Sequence, residues 1–249
     1  MRFAINGFGR VGRTLLRVYA SREDARARLT LAAINEIADA DTVVHLARYD
    51  SNYGRYPGAI ARAASSLVID QYSVPLSHVA EVALLPWQQH QIDLVLECTG
   101  AFTDRITAEQ HLQAGASRVL FSQPAESDVD ETIVYGVNSD SLSADMTVVS
   151  AASCTTNAVV PVLATLSRAV GIEAATITTI HSLMNDQPVL DAYHHTDLRK
   201  TRAASQSIIP VDTGLAVGIE RILPDLSGKL SAHALRVPTT KVSAIELTV

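Results

Sequence analysis

Ser153-Cys154-Thr155-Thr156-Asn157 stands at the head of an apolar stretch with helical spacing, residues 156–169. A cysteine at a helix N-terminus has its thiolate stabilised by the helix dipole and by first-turn amides that lack an intrahelical partner. Such a thiol is primed to attack an electrophile. Downstream, His181 follows a β-branched run, residues 175–180. A strand end can set that imidazole beside the sulfur, first as activating base and later as acid. Read alone the pair stays open, because a single cysteine is more often core and a single histidine more often surface or structural. Cys98, the other of the 2 cysteines, lies in an apolar context over residues 94–99 and reads as core.

A second pattern concerns a cofactor. Asn6-Gly7-Phe8-Gly9-Arg10-Val11-Gly12 has the G-x-G-x-x-G spacing, directly after an apolar run at residues 3–5 and opening a helical pattern at residues 13–20. Gly7 suits a tight turn, Gly9 lets backbone approach a pyrophosphate, and Gly12 lets helix pack on strand, with helix amides facing the phosphates. Glu36 ends the next apolar run, where a carboxylate accepts hydrogen bonds from the adenosine ribose and repels a 2'-phosphate. NAD is therefore expected rather than NADP. A glycine turn needed only for packing is the bland alternative, and the agreement of strand, helix and acidic residue speaks against it.

The elements that must position these residues follow from periodicity. Buried parallel strands are expected at residues 3–5, 29–34, 94–96, 119–121 and 148–149, and helices at 13–20, 38–47 and 108–114, the last stopped by Gly115. Strand and helix alternate, as in an α/β doubly wound sheet. After about residue 150 the texture changes. One helix at 156–169 leads to a strand at 175–180, then a polar segment at 185–206 that is too long for an ordinary connection and so reads as functional. A helix over Leu215–Ile222 and strands at 232–237 and 241–249 complete the pattern.

Composition excludes several classes. With 249 residues and 47% hydrophobic content the chain can bury a sizeable core, and a formal net charge of -6 gives no reason to expect nucleic acid as a partner. No apolar run approaches the roughly 18 residues of a membrane span, and no leader pattern precedes the first strand, so a cytoplasmic location is expected. Two cysteines make no disulfide framework, and the adjacent His194 and His195 lack the further ligands a metal needs, so no metal is expected.

N-G-F-G-R-V-G, A-I-N-E, E-C-T-G-A-F, S-C-T-T-N, I-H-S-L-M-N-D-Q, T-R-A-A-S-Q-S-I-I-P and R-V-P-T resemble, in order, the motifs of the glyceraldehyde-3-phosphate dehydrogenase superfamily, from residue 3 to residue 249. The resemblance implies an N-terminal Rossmann-type NAD-binding domain, residues 1–152, followed by an α+β catalytic domain, residues 153–249. It implies that Cys154 adds to an aldehyde, that hydride leaves the thiohemiacetal for NAD, and that His181 handles the protons. Arg10 and Val11 would lie on the pyrophosphate, Glu36 on the ribose, and Thr99, Gly100 and Ser122 near the cofactor's inner face. Ser153, Thr155, Thr213 and Gly214 would line the substrate pocket, with Lys200 and Arg236 as its cations and Asp186 orienting it. A small phosphorylated aldehyde as substrate and a homotetramer are implied as well.

H-S-x-M, L-F-S-x-P and D-x-D-x-T-x-V-Y-G-V-N look like the erythrose-4-phosphate dehydrogenase branch, with water opening the thioester and pyridoxal 5'-phosphate as the pathway product. The phosphorylating branch usually has threonine where Met184 stands. Lys200 replaces the usual arginine, a point charge for a planar fork, and the segment Val79-Ala80-Glu81 lacks an arginine often found beside the adenine. The catalytic domain looks incomplete beside the family, which normally adds a carboxamide-binding asparagine, further strands and a C-terminal helix. The expectation is then little turnover by the 249-residue chain, with a non-catalytic nucleotide-binding remnant as the reading from another class.

Overall fold

In the computed structural model the described residues are 1–194 and 197–249, so His195 of the histidine pair lies outside them. They divide into two compact units, Met1–Ile133 with Ser139–Ser153, and Val134–Asn138 with Cys154–Val249.

The first unit is a nine-stranded sheet. Its elements run β1 (Arg2–Asn6), α1 (Arg10–Ser21), α2 (Glu23–Arg28), β2 (Thr30–Asn35), α3 (Ala40–Arg48), a small hairpin β3 (Tyr49–Asp50) and β4 (Gly54–Arg55), then β5 (Ile60–Arg62), β6 (Ser66–Ile69) and β7 (Tyr72–Ser77). β8 (Leu94–Glu97), α4 (Arg105–Gln113), β9 (Arg118–Phe121), β10 (Glu131–Thr132) and β11 (Val148–Ser150) complete it. Strand order is β10-β11-β9-β8-β1-β2-β7-β6-β5, parallel except for β6, which pairs antiparallel with both β7 and β5. β1 sits between β2 and β8, so the winding reverses there and a crevice opens beyond its C-terminal end, the ordinary ligand position in such sheets.

Alternation along β1 feeds two cores. Phe3 and Ile5 pack with Leu16 of α1 and Val43, Val44 and Ala47 of α3, while Ala4 packs with Val82, Trp87 and Val95. Burial on both faces explains the near-continuous apolar runs in the parallel strands. Asp39 and Asp104 cap α3 and α4 by accepting from the amides of Thr42 and Thr107 at 2.9 and 2.8 Å.

The second unit holds α5 (Cys154–Val170), β12 (Ala175–His181), β13 (Ile209–Val211), α6 (Leu215–Ile222), β14 (Leu230–Arg236) and β15 (Ala244–Thr248). Its sheet has the order β13-β14-β12-β15, with β12 and β14 parallel and the outer strands antiparallel. Most element bounds differ from expectation by one to three residues, and those around the cysteine and histidine matter most. α5 starts two residues early and includes the cysteine, β12 takes in His181 as its last residue, and β8 runs one residue further than expected, to Glu97. β15 starts only at Ala244 because Val242 turns at φ 72°. Within residues 185–206 the described structure is turns and one 3-10 turn, Leu198–Thr201.

Candidate active site

The crevice beyond β1 is a cavity of about 290 Å³. Gly7, Gly9, Glu36 and Thr99 line it with Asn6 and Asn35, and Ile37, Val79, Ala80, Val82, Leu85 and Phe102 supply an apolar wall. Gly7 sits at φ +85°, and a Cβ there would lie 2.5 Å from the Thr99 amide nitrogen. A Cβ on Gly12 would lie 2.4 Å from the Gly7 carbonyl oxygen, so helix and turn touch only through glycine. At Gly9 the added carbon meets nothing within 4 Å, so its backbone faces open space that a ligand can fill. Gly9 also heads α1 with no side-chain cap, leaving first-turn amides for an anion.

Glu36 accepts from the amides of Phe8 at 2.8 Å and Ala38 at 3.2 Å, which aims the carboxylate along the cavity rim. An apolar slot, a carboxylate and uncapped helix amides suit a flat base, a ribose diol and a phosphate in turn. Arg10 and Val11 are exposed at the start of α1, and Gly100, at φ +72°, is exposed beyond β8. Neither they nor Ser122 line the cavity. The Ser122 hydroxyl donates to Gln123 Oε1 at 2.8 Å.

In the second unit Cys154 is the first residue of α5 and is exposed. Its Sγ lies 3.5 Å from His181 Nε2 and 3.8 Å from Thr155 Oγ1. The His181 hydrogen bond draws the thiol down from 9.0 to about 7, against partial burial, with the Thr155 hydroxyl helping. The same bond raises His181, which burial opposes and a contact between Nδ1 and the Ser182 carbonyl oxygen at 2.8 Å supports. Cys98 is the opposite case, buried and pushed up to about 12 by desolvation. Ser153 belongs by contacts to the first unit, and Ala152 before it is held at φ 58°, an uncommon backbone for a residue with a side chain.

Two domain models match the chain. Residues 1–105 match "Glyceraldehyde 3-phosphate dehydrogenase, NAD binding domain", and residues 153–249 match "Glyceraldehyde 3-phosphate dehydrogenase, C-terminal domain". The chain belongs to the glyceraldehyde-3-phosphate dehydrogenase family. Its first unit is an NAD-binding Rossmann domain and its second an α+β domain, and the two mark an NAD-dependent dehydrogenase acting on a sugar-phosphate aldehyde.

Arg236 and Lys200, the cations expected of the substrate pocket, both lie in the second unit of this dehydrogenase. Arg236 ends β14 beside His181, with Nη1 2.7 Å from Nδ1. Nδ1 cannot both accept from Arg236 and donate to Ser182, so a charged His181 must turn its Nδ1–H to the carbonyl while Arg236 repels it. Lys200 Nζ pairs with Asp186 Oδ2 at 3.0 Å, and burial lowers Arg236 while Asp186 raises it. Thr213 Oγ1 accepts from the Leu215 amide at 3.2 Å, and Gly214 heads α6. Arg199, which motif reading passed over, bridges Asp197 and Asp212 at 2.9 and 3.0 Å and so ties the Thr213 segment to the Leu198–Thr201 turn.

Asn6, Asn35 and Glu97 were missed as well. Each is a polar residue at the C-terminal end of a parallel strand, which is the signal that could have found them. Among the described residues no group of three or more His, Cys, Asp or Glu side chains could hold a metal, and no helix is long and apolar enough to cross a membrane.

Proposed function

We propose that this family member oxidises D-erythrose 4-phosphate to 4-phosphoerythronate with NAD, the thioester being opened by water, as a step of pyridoxal 5'-phosphate biosynthesis. Met184 carries the choice of substrate. It is 38% exposed on the turn that follows β12, and its thioether has no hydroxyl to donate to a substrate phosphate. Loss of a hydrogen bond to a charged oxygen costs about 1.5–3 kcal/mol, or roughly ten- to more than a hundred-fold, which disfavours the triose that relies on it.

The chemistry follows from the Cys154–His181 pair. The Cys154 thiolate adds to the aldehyde carbon, and the carbonyl oxygen takes the proton held on His181 Nε2, giving a thiohemiacetal. Neutral His181 then accepts the hydroxyl proton as the C–H bond breaks and the carbon becomes an acyl-thioester. Bound NAD supplies the hydride acceptor. His181 sheds that proton to solvent, takes another from the attacking water, and Sγ leaves as thiolate. Within this unit Lys200, Arg236, Thr155, Thr213 and Gly214 are assigned to the substrate anion, with Asp186 holding Lys200 until a phosphate competes for it.

Steady-state rates on erythrose 4-phosphate and glyceraldehyde 3-phosphate, each with and without inorganic phosphate, test the proposal. Higher efficiency on the tetrose without added phosphate supports it, and Met184→Thr then shifts preference toward the triose. Equal or higher efficiency on the triose with strict phosphate dependence assigns the phosphorylating activity instead. A homotetramer is part of the same proposal, and sedimentation velocity tests it.

A further inference from the structure

Glu97, the last residue of β8, is 0% exposed, and no step above uses it. A carboxylate taken out of water needs hydrogen bonds on both oxygens. Oε2 faces Asn6 Nδ2 at 2.5 Å and His111 Nε2 at 3.1 Å, while Oε1 faces the Thr99 amide at 2.8 Å and the Thr99 hydroxyl.

The direction of each bond is fixed by a neighbour further out. The Trp87 indole N–H reaches His111 Nδ1 at 2.9 Å, and an indole only donates. Nδ1 of the fully buried His111 is therefore an acceptor, which leaves Nε2 to carry the proton toward Glu97. Asn6 Oδ1 accepts from Asn35 Nδ2 at 2.8 Å, so the Asn6 amide group points its N–H at Glu97. Asn35 Oδ1 in turn accepts from the Val79 amide at 2.9 Å and the Ser77 hydroxyl at 2.8 Å. A continuous chain of polar contacts thus runs beneath the cavity from Trp87 to Val79, with a pure acceptor at its centre.

We infer that Glu97 is a positioning residue of the NAD site. Its carboxylate ties the Asn6-Gly7 turn after β1 to the Thr99-Gly100 turn after β8 at the spacing the cradle needs. That spacing has no slack, since Gly7 already lies against the Thr99 backbone and the Cys98 amide donates to the Asn6 carbonyl at 2.7 Å. The inference rests on the cavity beyond β1 being where NAD binds.

Glu97→Gln is the discriminating change because a carboxamide has one accepting end and one donating end. With its NH2 toward Asn6 and His111 it meets two fixed donors. With its NH2 toward Thr99 it meets one fixed donor, the amide, while the hydroxyl can turn to accept. The second arrangement costs less, and it pushes the Thr99-Gly100 turn away from Gly7.

Calorimetric titration of the whole chain with NAD, below its thermal midpoint, reads the effect. Glu97→Gln is expected to weaken NAD about ten- to a hundred-fold, with the iodoacetamide rate of Cys154 unchanged and the emission of Trp87, the 1 tryptophan in the chain, shifted before any NAD is added. Should that variant not fold, Glu97→Asp keeps both oxygens but retracts them by one methylene, and a loss of about three- to ten-fold is expected. A folded variant of either kind that binds NAD within two-fold of the wild type overturns the inference. Failure of the wild type itself to bind NAD in this cavity, tested by Gly9→Ala, overturns the placement of the cofactor instead.

Discussion

Replacing His181 by asparagine removes the largest cause of the low Cys154 pKa. The thiol stands at about 7 against an ordinary 9.0. At pH 7 about half of it is thiolate, whereas near 9.0 only about one part in a hundred would be, a roughly fifty-fold loss of the reactive form. The more basic thiolate is the better nucleophile, and a sensitivity of about 0.4–0.5 over two pH units returns roughly six- to ten-fold. The net expectation is alkylation by iodoacetamide about five- to eight-fold slower at pH 7, equal near pH 8, and about six- to ten-fold faster above pH 10. Thr155 and the α5 N-terminus remain in the variant, so these are upper limits. Rates measured from pH 5 to pH 11, with the labelled peptide located by mass spectrometry, check it. Superimposable profiles for the two proteins, or label mainly on Cys98, refute the claim that His181 activates Cys154.

Other sites give sharper or simpler readings. Gly9→Ala leaves the thermal midpoint within about 2 °C yet weakens NAD at least ten-fold, while Gly12→Ala destabilises the fold itself, since only the second carbon meets protein atoms. Calorimetric titration and thermal melts separate the two. Glu36→Ala narrows the preference for NAD over NADP, and it does so partly by weakening NAD, because the Phe8 amide loses its acceptor; parallel titrations with both nucleotides read the gap. Asp130 is held at about 2, where burial is outweighed by the Val148 and Thr147 amides and Arg105. Its folded value lies below its ordinary 3.8, so its stabilisation is present above pH 3.8 and fades as pH falls toward 2. Asp130→Asn should therefore cost about 1–2 kcal/mol in urea unfolding at pH 7 and less at pH 3.

The strand and helix alternation was legible because buried parallel strands and one-sided helices write different periods into the chain. α6 has the bounds its apolar spacing implied, Leu215–Ile222. α2 was not legible, since none of its residues is buried and no apolar stripe marks it. β5 to β7 escaped for a related reason: they are short, and β7 contains Pro75, which weakens any strand pattern. At the site, Gly7, Gly12 and Glu36 announce themselves by spacing, and Cys154 by its place before an apolar helix. The Glu97 network does not, because a strand-end position marks the carboxylate but not its donors, which come from β1, α4 and the turn after β8. The Asp186–Lys200 and Arg236–His181 contacts were equally silent, being set by how strands and turns meet and not by spacing in the chain.

The most direct test of the account traps the covalent intermediate. The protein is mixed with erythrose 4-phosphate in the presence and absence of NAD, without inorganic phosphate, quenched in acid, digested, and read by mass spectrometry. A single acylation event accumulates even where turnover is slow. The account predicts an acyl group, the aldehyde less one hydrogen, on the peptide that holds Cys154, formed only with NAD and lost in His181→Asn. An adduct on Cys98, or none on Cys154 at saturating NAD and aldehyde, would contradict it.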